Sequence, residues 1–171
     1  MIKLSTRRGF GKRSFAAAMG MTAAVAMGRQ TSFAADTADL QSEFLFDLAL
    51  TTQPPAEIGA GLTVVAVASG TFDGPKMKGT VIGPAGDWIV QRHDGSRLLD
   101  VRALLQTDDG QRVYMNWRGI AYTPPGGKLY ARILPMFVTD AAKYIWLNNV
   151  AAVGVYRPTA GKILYRVYEI L

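Results

Sequence analysis

LLDVRALLQTDDGQRVYMNWRG, running from Leu98 to Gly119, is the stretch whose reading decides the fold. Apolar and polar residues alternate on both sides of Asp108-Asp109-Gly110, and two alternating runs across a short Gly-containing turn make a β-hairpin. A type I turn closed by a glycine bulge sets Thr107 opposite Gln111. Counting outward, Leu104 then faces Tyr114, Arg102 faces Asn116, and Asp100 faces Arg118. One face carries Asp100, Arg102, Gln106, Arg112, Tyr114, Asn116 and Arg118. The other carries Leu99, Val101, Ala103, Leu105, Val113, Met115 and Trp117. A two-residue Asp109-Gly110 turn would instead pair Arg102 with Trp117 and split the polar set between the two faces.

The same period of two extends through most of the chain. Phe44, Phe46, Leu48 and Leu50 alternate with Leu45, Asp47, Ala49 and Thr51, and Pro54-Pro55 ends that strand. Leu62 to Ser69 is a β-branched apolar run of the kind buried on both faces. Lys76 to Ile82 and Trp88 to Arg92 read as two strands separated by a turn at Gly83-Pro84-Ala85-Gly86. After the hairpin and the loop Pro124-Pro125-Gly126-Gly127 come Leu129 to Thr139, a short helical turn at Ala141 to Tyr144, and closing strands at Ile145 to Tyr156 and Lys162 to Leu171. About nine strands with frequent Gly, Pro and Asp turns predict an all-β sandwich or barrel. The last strand is bulky on both faces, which suits a strand paired on both sides and favours a closed meander barrel.

Charge and composition narrow the function classes. Of 19 basic residues, six (Lys3, Arg7, Arg8, Lys12, Arg13 and Arg29) precede the first acidic residue, Asp36; the remaining 13 match the 13 acidic ones. The net charge of +6 therefore belongs to the N-terminus and does not indicate a nucleic-acid face. With no cysteine, disulfides, thiolate metal sites and cysteine nucleophiles are excluded, and the single histidine, His93, falls in a turn. No P-loop, dinucleotide fingerprint or nucleophile elbow occurs, and no cofactor or metal is expected.

Residues 1–35 read as a secretory signal. A charged region is followed by the weakly apolar run Phe15 to Met27, too short to span a bilayer, and Ser32-Phe33-Ala34 offers small residues at a cleavage site. Within it, Thr6-Arg7-Arg8-Gly9-Phe10-Gly11-Lys12 resembles the twin-arginine export motif, with Gly11 where a bulky apolar residue is usual. The expectation is export by the twin-arginine machinery to the periplasm or beyond. Residues 36–171 would then form one soluble barrel domain without a membrane span.

The polar face of the hairpin is the main candidate for chemistry. Asp100 has the character of a general base and Tyr114 that of a proton donor, while Arg102, Asn116 and Arg118 can hold a carboxylate or carbonyl. The competing reading is a solvent-facing strand surface with Asp100 and Arg118 as a cross-strand pair. Asp87-Trp88 follows a glycine-rich turn, so Asp87 reads as a turn cap and Trp88 as an inward aromatic available to a pocket. Trp146 and Asn148 would share one strand face and line the interior. Arg132 and Glu169 are charges in apolar surroundings that need partners, and Arg166 or Arg132 is a plausible one for Glu169.

Several segments, taken in order, identify a family resemblance. They are Gly70-Thr71-Phe72-Asp73-Gly74-Pro75, Gly86-Asp87-Trp88, Asp94-Gly95, Asp100-Val101-Arg102, Thr107-Asp108-Asp109-Gly110, Tyr114-Met115-Asn116-Trp117-Arg118-Gly119, Tyr144-Ile145-Trp146-Leu147-Asn148 and Tyr165-Arg166-Val167-Tyr168-Glu169. From about Ser42 to Leu171 the chain resembles the domain of unknown function 3237, also called uncharacterised protein family 0311. The resemblance implies a closed barrel similar to that of allene oxide cyclase, and it implies no established activity. Val138 stands where the family pattern carries an acid, which removes any shared acid chemistry there. Two readings of function follow. One is an enzyme acting without cofactor as an isomerase, cyclase or lyase on a small hydrophobic molecule bearing a carbonyl or carboxylate. The alternative is a non-catalytic ligand-binding or structural barrel able to form homo-oligomers. Which hairpin face lies inside the barrel decides whether the polar set forms a pocket wall.

Overall fold

The computed structural model describes residues 39–171, and the proposed export signal lies outside the described residues. The elements are β1 (Ser42–Thr52), β2 (Ala56–Gly59), β3 (Leu62–Asp73), β4 (Lys78–Gln91), β5 (Arg97–Thr107), β6 (Arg112–Tyr122), β7 (Tyr130–Val138), a 3₁₀ turn (Ile145–Asn149), β8 (Ala152–Arg157) and β9 (Ile163–Ile170). Consecutive strands from β2 to β9 pair antiparallel, and β1 pairs with β9 on one side and β3 on the other. β1 and β3 to β9 therefore close an eight-stranded barrel, with β2 an extra strand on the first half of β3. Closure leaves few free strand edges.

The hairpin register is the bulged one. Asp100 pairs with Arg118, Arg102 with Asn116 and Leu104 with Tyr114. The Thr107 N–H donates to the Gln111 carbonyl, the Gly110 N–H donates to the Thr107 carbonyl, and Gly110 takes a φ of 83°. That left-handed conformation is one a side chain would resist. The Thr107 hydroxyl donates to the Asp109 carboxylate, which also receives Lys143 Nζ at 2.6 Å and the Tyr144 hydroxyl at 3.1 Å. These bonds tie the turn to the segment after β7.

The apolar hairpin face points inward. Leu99, Val101, Ala103, Leu105, Val113, Met115 and Trp117 are all buried, together with Phe46 and Leu48 of β1, Phe72 of β3, Ile133 and Phe137 of β7, and Val167 of β9. Phe46 packs edge-on against Phe72 and Phe137 at 5.8 and 6.0 Å between ring centroids, joining three strands across one end of the interior. Gly154 on β8 makes room there too, since a Cβ at that position would collide with the Ile133 side chain.

Three sequence expectations change. Gly83-Pro84-Ala85-Gly86 does not separate two strands. It is a register break inside the single strand β4, between the Ile82–Leu104 and Gly86–Arg102 pairs, and contains a cis Gly83–Pro84 bond. Ile145–Asn149 is a 3₁₀ turn rather than the start of a strand, because the Tyr144, Leu147 and Val150 N–H groups each donate to a carbonyl three residues back. Leu62 to Ser69 is not buried on both faces; only one face looks inward, and both are partly open near the barrel mouth. Ala56–Gly59 forms an additional short strand by pairing with β3.

Since Leu105 lies fully inside, Leu105→Ala should lower unfolding stability by about 2–5 kcal/mol. Arg102→Ala, on the outward face, should cost under about 1 kcal/mol. Urea denaturation of both variants checks the direction of the hairpin.

Candidate functional site

With the apolar hairpin face inside, the polar face lies on the outer surface, and it is not a wall of the barrel interior. The structure does bring its residues together. The Asp100 carboxylate lies 3.4 Å from Arg102 and 3.8 Å from Arg118, and Arg102 stacks over the Trp88 ring at 5.4 Å. Trp88 also points outward and is 41% exposed, because its neighbour Asp87 takes the inward position. Trp88, Arg102, Leu104 and Tyr114 border a shallow, largely apolar groove of about 320 Å³ on that outer surface.

The remaining expected site residues have other tasks. Asn148 accepts the Thr139 N–H at 2.9 Å and donates to the Thr139 carbonyl at 2.8 Å, which fastens the 3₁₀ turn to the end of β7. Trp146 does not share a strand face with Asn148; it packs against the core from the 3₁₀ turn, with Lys76 over its ring at 5.6 Å. Arg132 donates to the Ala131 carbonyl and covers the Tyr130 ring at 4.3 Å. Glu169 pairs with Lys76 at 3.7 Å, not with Arg166 or Arg132, because Arg166 makes a two-bond fork to Asp47 at 2.9 Å each.

A different set of residues meets at the end of the barrel where β1 stops and β5 starts. There the interior opens into a cavity of about 400 Å³, within the range of small-molecule sites. Its walls are mainly apolar, including Leu50, Val65, Val67, Val101 and Ile163. Asp87, Arg97, Tyr165 and Trp117 line it from four strands, and Gln53, Glu57, Thr63 and Gln91 add polar groups.

Asp87 is the distinctive group. β4 and β5 pair at Asp87–Val101 and resume at Val90–Leu98. In the gap, the Asp100 N–H donates to the Asp87 side chain at 3.2 Å. Asp87 faces inward in the strand's two-residue alternation, in phase with Ile89, and this bond holds its carboxyl. Burial pushes its pKa from 3.8 up to about 6, and the charge of Asp100 adds to the rise. The Asp100 N–H and the Arg97 charge oppose it. Asp87 can therefore both give and take a proton near neutral pH. Burial, reinforced by the nearby Asp87 charge, pushes the Tyr165 phenol well above its usual range, so it stays a neutral O–H. Tyr156 meets Tyr165 edge-on at 6.0 Å. The Trp117 indole N–H, fully buried, has no hydrogen-bond partner among the described residues.

Parity would have identified these residues. Arg97 is in phase with Leu99, Val101, Ala103 and Leu105, Asp87 with Ile89, and Tyr165 with Ile163 and Val167. A charge or phenol on an inward row is the signal, and the clustered charges on the outward row concealed it.

A family model described as a protein of unknown function (DUF3237) matches residues 40–170. A UPF0311 protein from Clostridium acetobutylicum is 26% identical over 150 residues, covering 77% of this chain and 95% of that protein. The hydroalkoxylation enzyme phnH from Penicillium herquei is 36% identical over 120 residues, 66% of this chain and 71% of the enzyme. Among crystal structures, a β-barrel-like protein from Acinetobacter baumannii superposes with a TM-score of 0.73 at 27% identity, covering 78% of this chain and 97% of that one. An enzyme from Penicillium herquei superposes at 0.64 and 26% identity, covering 77% and 95%.

Because Asp87 holds its proton more tightly folded than unfolded, its contribution to stability should be full below pH 3.8 and decline as pH rises to about 6, then level off. Asp87→Asn should remove that decline. Urea midpoints of wild type and variant across pH 3–8 check it, since the difference cancels the other carboxylates.

Proposed function

Taking as premise that the chain belongs to the DUF3237 family, we propose that it binds a small, mainly apolar molecule inside its barrel and moves a proton on it. The observation that carries this reading is Asp87, a carboxyl held in an apolar-walled cavity with its pKa raised to about 6. Asp87 is the acid–base group. Tyr165, neutral at all working pH values, serves as a hydroxyl donor beside it.

Relatedness to a hydroalkoxylation enzyme supports one reaction class: intramolecular addition of a hydroxyl across a carbon–carbon double bond. In that step protonated Asp87 gives its proton to one alkene carbon, and the substrate hydroxyl oxygen bonds the other. The hydroxyl proton then returns to the Asp87 carboxylate. Two bonds form, the C=C π bond and the O–H bond break, and nothing is oxidised or reduced. Apolar walls favour this chemistry by excluding water from the developing cation. The test is incubation with ortho-prenylated phenols in D₂O, read by mass spectrometry. The expected product is a cyclic ether with one carbon-bound deuterium, at least 10²-fold slower with Asp87→Asn. Equal rates for wild type and variant would remove Asp87 from the chemistry.

The N-terminal segment supports a site of action outside the cytoplasm, reached through the twin-arginine machinery. Replacing Arg7 and Arg8 by Lys should leave the protein in the cytoplasm on cell fractionation.

A further inference from the structure

The cavity contains a cation with no counter-ion among the described residues. Arg97 is half-buried on the inward row of β5 and lines the chamber. Among the described residues, no carboxylate lies within 4 Å of its guanidinium, and it makes no side-chain hydrogen bond. Arg112 and Arg157 also lack ion pairs, but they are exposed and water solvates them. Arg97 is only partly exposed, and it lies on the cavity lining.

The two acids of the cavity do not supply the missing partner. The Glu57 carboxylate accepts the Thr63 hydroxyl at 2.7 Å at the rim. Asp87 accepts the Asp100 N–H and, along the ladder, stands opposite Val101, four positions deeper than Arg97. At about 3.3 Å per residue their backbones stand roughly 13 Å apart along the strand; the Arg97 charge acts on Asp87 through space, without an ion pair. Arg97 pairs across the ladder with uncharged Gln91 on one side and Ala121 on the other. A guanidinium left with free donors in a partly dehydrated chamber is a receptor for an anionic oxygen.

We propose that Arg97 anchors an anionic oxygen of the ligand, so that the chamber takes amphiphilic monoanions. The charged group (a phenolate, enolate or carboxylate) sits at the Arg97 end, and the apolar remainder runs inward past Val101 towards Asp87. This rests on reading the cavity as a ligand chamber. It adds which class of molecule fits and which end enters first. It also separates two tasks by position: Arg97 orients the molecule near the mouth, and Asp87 works on carbon further in.

Two fluorescent probes with one skeleton test it: 8-anilinonaphthalene-1-sulfonate, an anion, and N-phenyl-1-naphthylamine, which is neutral. Each is titrated into purified wild type, Arg97→Gln and Arg97→Lys. Arg97→Gln should weaken the sulfonate by roughly tenfold or more, the loss of one charge-assisted bond, and leave the neutral probe within about twofold. Arg97→Lys should fall between. Unchanged neutral-probe binding also shows that the variants are folded. If Arg97→Gln weakens both probes alike, or neither, the anchor is overturned while the chamber stands. If wild type binds neither probe, the chamber reading and the anchor both fall.

Discussion

β1 closes the barrel, and the rest of the structure depends on that closure. Its residues pair with β9 from Ser42–Ile170 to Leu50–Ile163 and with β3 from Asp47–Asp73 to Thr52–Val67. Once both edges are taken, every strand has an inside and an outside, and the two-residue period of side chains assigns each residue to one of them. Phe46, Leu48 and Leu50 then meet Phe72 of β3, Phe137 of β7 and Tyr165 of β9 in one continuous interior. The Asp47–Arg166 fork on the outer surface ties the same two strands where their registers meet.

Closure also makes the two ends of the barrel different. At one end the Asp109 turn binds Lys143 and Tyr144, the 3₁₀ turn packs Leu147 into the core, and Asn148 holds Thr139. Bulky side chains fill the interior there. At the other end β1 stops at Thr52, before Pro54-Pro55, and β2 pairs with β3 alone, so the described residues form no equivalent plug. The cavity occupies this open half. A packed end next to an open one is the arrangement a ligand chamber needs: a rigid frame, and an opening lined by a few polar groups.

The second half of β4 sets the environment of Asp87. The β4 register breaks once around the cis Gly83–Pro84 bond, and its pairing lapses again between Asp87–Val101 and Val90–Leu98. In that gap the Asp100 N–H donates to the Asp87 side chain. That bond stabilises the carboxylate form, while burial works against it, and burial is the larger effect. The outcome is a carboxyl poised near neutrality by two opposed forces, with Arg97 and Asp100 as smaller corrections. Asp100 thus matters to the site through its backbone and its charge from outside the barrel wall, not as a base within it.

Local alternation and turn chemistry are properties of contiguous residues, so the sequence by itself determined the all-β class, the 98–119 hairpin and its register through Gly110. It also supported closure through a last strand bulky on both faces. These depend on the period of two and on a left-handed turn residue, both visible within a few positions. Which face of the hairpin turns inward depended on the other six strands of the barrel, because the polar and apolar faces each had a consistent reading until closure surrounded one of them. The convergence of Asp87, Arg97, Trp117 and Tyr165, the loss of the Trp146–Asn148 pair to a 3₁₀ turn, and the pairing of Glu169 with Lys76 were decided only by tertiary structure. Each depends on residues far apart in the chain meeting across the barrel or along neighbouring strands, where burial and charge first acquire their magnitudes.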